Sequence, residues 1–318
     1  MAKIVIVGSG VVGTATGKGF VRSGHQVTFV DISPSRLEAL RQEGLVATDR
    51  IDLSGEPSFV FLTLPTPFNG QLYDLSILAS GARTVGMAIR DAGAFHTVVV
   101  RSTVPPGTCE GLIRPIIEKF SGKRVGESFG LASNPEFLRE ASAEEDFIFP
   151  WMTVIASSSR RTLERLRDLF KPFGGEIRTF SSTVEAEMAK CCHNAFNAAK
   201  ISFWNEMWAL SQRLGLDADA IASAVSRSAE GSINPEYGIR GGAPYGGSCL
   251  PKDTKGFLGF AAAAGVDMPV LKAIIEMNDR MERTVQRELA SGVSAVNGQA
   301  PKSVDLNSLT ERPIALGS

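Results

Sequence analysis

The run Tyr245-Gly246-Gly247-Ser248-Cys249-Leu250-Pro251-Lys252-Asp253-Thr254 gathers residue types that can do nucleophilic chemistry. Two glycines let the backbone turn sharply and come close to a ligand. Ser248 or Cys249 can then cap a helix that Pro251 is well shaped to start. The Cys249 sulfur would stand at a positive helix end, with Lys252 and Asp253 one turn away, a setting that favours the nucleophilic thiolate. A cysteine at such a junction also reads as plain packing; the glycines, the Lys and the Asp turn the reading toward chemistry. Lys190 and Asn194, four apart, face the same way on a helix, with Glu187 and Asn197 near that face. Turned into an apolar packing surface they are costly unless paired, although the spacing fits a solvated polar stripe as well. Thr103 and Glu136 each follow an apolar run and could face one crevice. Taken singly, they fit a turn hydroxyl and an exposed acid.

Such groups need a frame, and the first half of the chain supplies one. Residues 3–7 are a short β-branched run, as a buried parallel strand requires. They lead into Gly8-Ser9-Gly10-Val11-Val12-Gly13, then a helical stretch, then a second strand over 26–30 that ends at Asp31. The glycines allow a tight turn, close approach of a pyrophosphate and close helix-to-strand packing. The helix start offers free N–H groups to phosphate. Asp31 lies close to the roughly 20 residues beyond the glycines at which an acid takes the ribose diol. A carboxylate there repels a 2′-phosphate, so the pattern points to NAD. Further strands are expected at 59–63, 97–100, 130–133 and 152–156, with helices at 75–92 and 160–169. Pro65-Thr66-Pro67 forms a stiff loop at a strand's carboxyl end, where such sheets bind ligands.

The period changes near residue 182. Residues 185–214 have helical apolar spacing without proline and predict one long helix that Gly215 ends. Helices follow at 217–228, 254–265 and 269–289. The fold class expected is α/β, a doubly wound parallel sheet of Rossmann type followed by an all-helical domain. The domains expected are 1–181 for NAD, 182–290 for dimerisation and catalysis, and an irregular tail over 291–318.

The chain of 318 residues is long enough for two cored domains. A net charge of −1 and the absence of any basic run speak against a nucleic-acid partner. Cys109, Cys191, Cys192 and Cys249 show no metal-ligand spacing, so no metal is expected. Gly8 cuts short any signal-like run and no apolar stretch approaches a membrane span, so a cytoplasmic protein off the membrane is expected.

The set Gly8-Ser9-Gly10-Val11-Val12-Gly13, Pro65-Thr66-Pro67, Ser102-Thr103-Val104-Pro105, Asn134-Pro135-Glu136-Phe137-Leu138, Lys190 with Asn194, and Gly246-Gly247-Ser248-Cys249-Leu250-Pro251-Lys252-Asp253 resembles the UDP-glucose/GDP-mannose dehydrogenases from residue 1 to about 285. The resemblance implies oxidation of a nucleotide sugar's C6 alcohol to a carboxylate with two NAD in succession. It makes Cys249 the nucleophile toward the aldehyde, and Lys190 and Asn194 the donors to the oxyanion. Asp253 and Thr103 would position a water and relay protons, and Glu136 would be the acid/base for hydrolysis. It sets Gly8, Gly10, Val11, Val12, Gly13, Asp31, Pro65, Thr66 and Thr103 around the cofactor. Phe137, Leu138, Glu140, Arg240 and Lys252 join Lys190 and Asn194 around a small-molecule substrate.

Three departures stand out. A C-terminal nucleotide-gripping domain would need on the order of 100 further residues, and a short polar stretch follows the last expected helix. The family's Asp-x-Arg-Ile-Gly is met here by Asn234-Pro235-Glu236-Tyr237-Gly238, with Arg240 as the nearest cation. Its Pro-x-Arg is met by Pro150-Trp151-Met152. Each lost cation weakens the grip on a diphosphate and leaves open a nucleoside, nucleotide or free sugar derivative. Two other readings also stay open: a two-electron 3-hydroxyacid-type dehydrogenase working through Lys190 and Asn194, and a non-catalytic NAD-binding subunit. Phe203, Trp204, Met207 and Trp208 form more apolar surface than a small helical domain covers, which predicts a homodimer.

Overall fold

Alternation decides where each strand residue goes. Along Lys3–Val7 the side chains of Ile4 and Ile6 join one buried cluster, while Val5 and Val7 join another. The same division separates Phe59 and Phe61 from Val60 and Leu62 on Ser58–Leu62. A strand covered on both faces must be apolar along its covered stretch, and residues 4–7 and 59–62 are. The computed structural model describes residues 1–291 except Gln71, Pro235, Glu236, Ile239, Arg240 and Ser248, and gives the backbone alone for Glu140, Glu230, Glu288, Ala290 and Ser291. The tail expected over 291–318 lies outside the described residues, apart from the backbone of Ser291.

The elements run β1 (Lys3–Val7), α1 (Val11–Arg22), β2 (Gln26–Val30), α2 (Pro34–Gln42), β3 (Val46–Thr48), β4 (Ser58–Leu62), α3 (Ser76–Asp91), β5 (His96–Val100), α4 (Arg114–Ser121), β6 (Phe129–Ser133), α5 (Ala143–Ile148), β7 (Met152–Ala156), α6 (Arg160–Phe170), β8 (Glu176–Phe180) and α7 (Thr183–Leu214). They are followed by α8 (Ala218–Ser228), α9 (Glu230–Ile233), α10 (Leu250–Ala263) and α11 (Pro269–Ser291). The sheet order is β3-β2-β1-β4-β5-β6-β7-β8. Its first six strands follow the order of dinucleotide-binding sheets, with the switch point between β1 and β4.

Two features correct the expected all-parallel sheet. β7 pairs with β6 antiparallel, through Ser133 and Ala156, and β8 then runs parallel to β7. β3 and β8 carry too few buried apolar positions to have been read as strands. α10 also begins earlier than the pattern suggested. Proline is compatible with a first helical turn, so Leu250 and Pro251 already belong to it.

Internal contacts divide the described chain into two compact units, Met1–His193 and the residues from Asn194 on. The division falls within α7, whereas a change of period placed the expected boundary at 181. In the first unit the fully buried Phe20, Phe29 and Phe61 stand on one side of the sheet, each contributing about 2–3 kcal/mol through burial. In the second, Leu210, Ala261, Met268, Leu271 and Ile275 make a smaller core, and α8 buries none of its residues.

His96 opens β5 with no exposed surface. Its Nδ1 accepts from the Ser58 backbone N–H at 3.3 Å and lies 2.8 Å from Ser58 Oγ. A ring nitrogen receiving an N–H cannot also hold a proton, so the neutral imidazole is the folded form. Burial pushes the pKa down to about 4, with the charges of Lys3, Lys123 and Arg165 adding to it. In the unfolded chain the ring titrates near 6.5. The folded state therefore binds fewer protons, and His96's contribution is complete above pH 6.5 and drains away as pH falls toward 4. Unfolding by urea at a series of pH values should show about 3 kcal/mol lost over that window. His96→Asn should be less stable at pH 7 but should show a flatter slope. An unchanged slope would remove His96 as the cause.

Candidate functional site

The loop after β1 is shaped by three glycines with three different constraints. Gly8 has φ +98°, which favours glycine, and its carbonyl accepts from Thr63 Oγ1 at 2.6 Å. A Cβ on Gly13 would run into the Gly8 carbonyl oxygen, so α1 can lie against the loop only without one. Gly10 faces open space, with no protein atom within 4 Å of where its Cβ would be. Next to it, Val11 and Val12 open α1, and Val11 is exposed. Asp31 closes the arrangement at the end of β2. It is buried, its Oδ2 accepting from Ser9 N at 2.7 Å and its Oδ1 from Ser33 N at 2.9 Å. The carboxylate thus fixes the glycine loop as well as standing where a ribose diol would bond. The residues fit a dinucleotide: an open backbone at Gly10, a helix start, and an acid.

Loops after β4 and β5 are tied together nearby. Thr66 Oγ1 donates to the Thr103 carbonyl at 2.6 Å, and Ser102 Oγ to that of Leu64 at 2.6 Å. Pro65 is exposed and Thr103 half-buried on these loops.

After β6 the polar groups converge. Lys190, from α7, is 4% exposed, and its Nζ lies 3.1 Å from Glu136 Oε1. Glu136 Oε2 accepts from Leu138 N at 2.6 Å, and the ammonium sits 5.3 Å from the Phe137 ring centre. The expectation of a paired, inward lysine is what the structure shows for Lys190. Asn194, one turn further along α7, is exposed.

Further groups hold this arrangement: Glu187, which helical spacing placed near Lys190, and Cys109 and Arg101, to which the sequence assigned no part in it. Glu187, 1% exposed, accepts from Gly107 N at 2.6 Å and Cys109 N at 2.8 Å, although burial raises its pKa. Burial and the nearby Glu187 push the Cys109 thiol well up. Arg101 is 4% exposed, donates to Asn134 Oδ1 at 2.5 Å, and sits 5.3 Å from the Phe147 ring centre. Burial lowers it to about 10, opposed by Glu136, so it stays charged at neutral pH. Position beside Ser102-Thr103 was the available signal for Arg101; for Glu187 helical spacing gave the place near Lys190 but not the backbone partners.

In the second unit Cys249, one of the two residues the sequence offered as a cap, is the N-cap residue of α10, makes no side-chain capping hydrogen bond and is exposed. Asp253 N donates to its carbonyl at 2.8 Å, and Lys252 Nζ pairs with Asp253 Oδ1 at 3.1 Å on the surface. The preceding loop is fastened by Asn278 of α11, which accepts from Tyr245 N at 2.7 Å and donates to Tyr245 O at 3.2 Å. Arg240, and the side chain of Glu140, lie outside the described residues.

The sequence profile of the UDP-glucose/GDP-mannose dehydrogenase family's NAD binding domain matches residues 45–174, and that of its central domain matches 184–280. GDP-mannose 6-dehydrogenase of Pseudomonas aeruginosa is 35% identical over 301 residues, covering 87% of this chain and 68% of that protein. The chain belongs to this family. The UDP-glucose 6-dehydrogenase of Haloferax volcanii is 33% identical over 87% of this chain and 69% of its own length. Among solved structures, a ternary complex of the Pseudomonas aeruginosa GDP-mannose dehydrogenase superposes with a TM-score of 0.83 at 32% identity, over 92% of this chain and 71% of that one. The UDP-glucose dehydrogenase of Pyrobaculum islandicum gives 0.66 at 36% identity, over 92% and 72%. As a member of this dehydrogenase family the chain is an NAD-dependent oxidoreductase acting on CH–OH. Among the described residues no helix is long and apolar enough to cross a membrane.

The glycine constraints separate cofactor binding from folding. Gly10→Ala meets no protein atom and should leave the melting temperature near wild type, yet weaken NAD at least about tenfold by calorimetry, since a methyl would stand where the pyrophosphate approaches. Gly13→Ala should instead destabilise the fold by about 1–3 kcal/mol. Full NAD affinity in Gly10→Ala would remove this loop from the cofactor site.

Proposed function

We propose that this dehydrogenase oxidises the C6 primary alcohol of a nucleotide hexose, GDP-mannose or UDP-glucose, to the carboxylate through a thioester on Cys249. The observation that carries the reading is the placement of Cys249, exposed at the first turn of α10 in a chain of this family. Bound NAD supplies the hydride acceptor for each of the two oxidations. In the first, the alcohol loses a hydride from carbon and a proton from oxygen, giving an aldehyde. The Cys249 sulfur then adds to the aldehyde carbon, and Lys190 and Asn194 donate to the oxygen that becomes negative. Loss of a second hydride from that carbon leaves the thioester. Water, with Asp253 and Thr103 positioning it and Glu136 taking its proton, then cleaves the C–S bond and returns the thiol and the acid.

The Lys190–Glu136 pair supports two of these roles. A buried ammonium already hydrogen-bonded to a carboxylate is fixed in place before substrate arrives, so little reorganisation is left for the reaction. Exposed apolar residues of α7 support a homodimer: Phe203, Trp204 and Met207 are half-buried within their own unit, whereas Phe196 is 71%, Ile201 63% and Trp208 57% exposed. That is apolar surface of the kind an isologous partner covers. Sedimentation at micromolar concentration should give twice the mass of a 33.9 kDa chain, and a stable monomer would count against the pairing.

Counting NADH against product tests the chemistry. Two NADH per acid are expected with GDP-mannose or UDP-glucose, and nucleosides and free sugars run beside them measure how much of the nucleotide is needed. Cys249→Ser should end acid production. Turnover surviving that change, with one NADH and a stable aldehyde, would replace the thioester with a two-electron reaction.

A further inference from the structure

At Pro150-Trp151-Met152 the chain has an aromatic ring beside the place where the family resemblance implies a cation. The structure shows what surrounds that ring. Trp151 is 62% exposed, and its ring is stacked on His193, with centroids 6.2 Å apart and planes 23° from parallel. Phe137 meets both edge-on, at 5.8 Å from Trp151 and 4.9 Å from His193. The three rings close a triangle, and Lys190 Nζ lies 5.3 Å from the Phe137 ring centre. Glu136, Phe137, Pro150 and Trp151 line one cavity, and all of these residues belong to the Met1–His193 unit. Burial lowers the proton affinity of His193, and Lys190 lowers it further against a smaller opposing effect of Glu136. The stack is therefore uncharged at neutral pH.

We propose that Trp151, backed by His193, is a stacking platform for the apolar face of the substrate's pyranose ring. The inference rests on the reading of Lys190 as the donor beside the reacting carbon. C6 is bonded directly to the pyranose ring, so whatever adjoins the group at C6 adjoins that ring. A nucleobase is separated from it by a diphosphate and a ribose. The C–H bonds of a sugar face carry slight positive charge and meet the negative face of an indole favourably, and they displace water from an otherwise exposed ring. A hexose is thus gripped by its ring where a relative with a cation grips by charge.

Tryptophan fluorescence tests binding without turnover. GDP-mannose or UDP-glucose should give a saturable emission change in the wild type that Trp151→Phe abolishes, and GDP or UDP alone should not give it. In steady-state kinetics Trp151→Ala should raise KM about five- to tenfold with the loss falling on KM rather than kcat, and Trp151→Phe should recover most of it. Phe149→Ala, at an exposed neighbour outside the stack, controls for the loop and should keep the wild-type KM. An unchanged KM in Trp151→Ala would overturn the platform. So would a Trp151-dependent signal as large with the nucleoside diphosphate as with the nucleotide sugar, or none with either sugar. A single NADH per product would sink the thioester and leave the platform standing, because the fluorescence readout does not depend on the reaction.

Discussion

Charge that is taken out of water has to be matched, and on α7 that requirement decides where the buried charged residues stand. Three of its charged side chains, Glu187, Lys190 and Glu206, are buried, and each meets partners of opposite polarity. Glu187 takes two backbone N–H groups at Gly107 and Cys109, Lys190 takes the Glu136 carboxylate, and Glu206 takes the N–H groups of Val270 and Leu271. Two of the three are carboxylates received by free N–H groups at a helix start, Glu187 at the π-helical turn Cys109–Ile113 that leads into α4 and Glu206 at the first turn of α11, where the helix field favours negative charge. An unpaired buried charge would cost several kcal/mol, so these partners fix the helix's rotation as firmly as apolar packing does. Lys190 stands three residues beyond Glu187 on α7, so its presentation to Glu136 follows from where Glu187 is anchored.

The cofactor half rests on a different constraint, steric rather than electrostatic. Between β1 and α1 the chain must reverse within a few residues and leave N–H groups facing outward. Gly8 takes the positive φ, Gly13 lets the helix meet the loop, and Gly10 leaves the surface open. Asp31 then serves the loop through Ser9 N while its position at the end of β2 faces the same crevice. The acid placed where a ribose would bond is also a structural acceptor, so replacing it would disturb the loop itself.

Much of this was legible in the sequence, for reasons that differ by element. β1, β4, β5 and β6 are apolar at nearly every position, and α7 keeps its helical period for its whole length, so burial announced them. The glycine loop and the N-cap of α10 were legible because glycine and proline have few conformational uses. Lys190 was legible only in part, since its spacing fitted a solvated stripe as well as an inward, paired cation. β3 and β8 were not, because three residues in one and a half-exposed pattern in the other carry little hydrophobic signal. The reversed direction of β7 was hidden too, since alternation says which face a side chain takes and nothing of strand sense. Glu187, Glu206 and Asn278 share a further reason. Their partners are backbone groups far along the chain, and a backbone N–H has no residue type to read.

Arg101 shows how a neutral residue can shape the charge beside it. Asn134 accepts from the guanidinium, donates its own amide to the Val154 carbonyl at 2.7 Å, and brings no net charge of its own to the pair. An aspartate in that place would neutralise Arg101 and leave its field spent within the pair. An amide satisfies the hydrogen bond and leaves the positive charge to act across a poorly screened interior on Glu136, two residues further along. Glu136 therefore stands between a cation that touches it, Lys190, and a cation that acts through space, Arg101. The carboxylate also accepts from Leu138 N, so the Lys190 ammonium is one of several groups that hold it, and an ammonium with three N–H groups is not exhausted by one such contact.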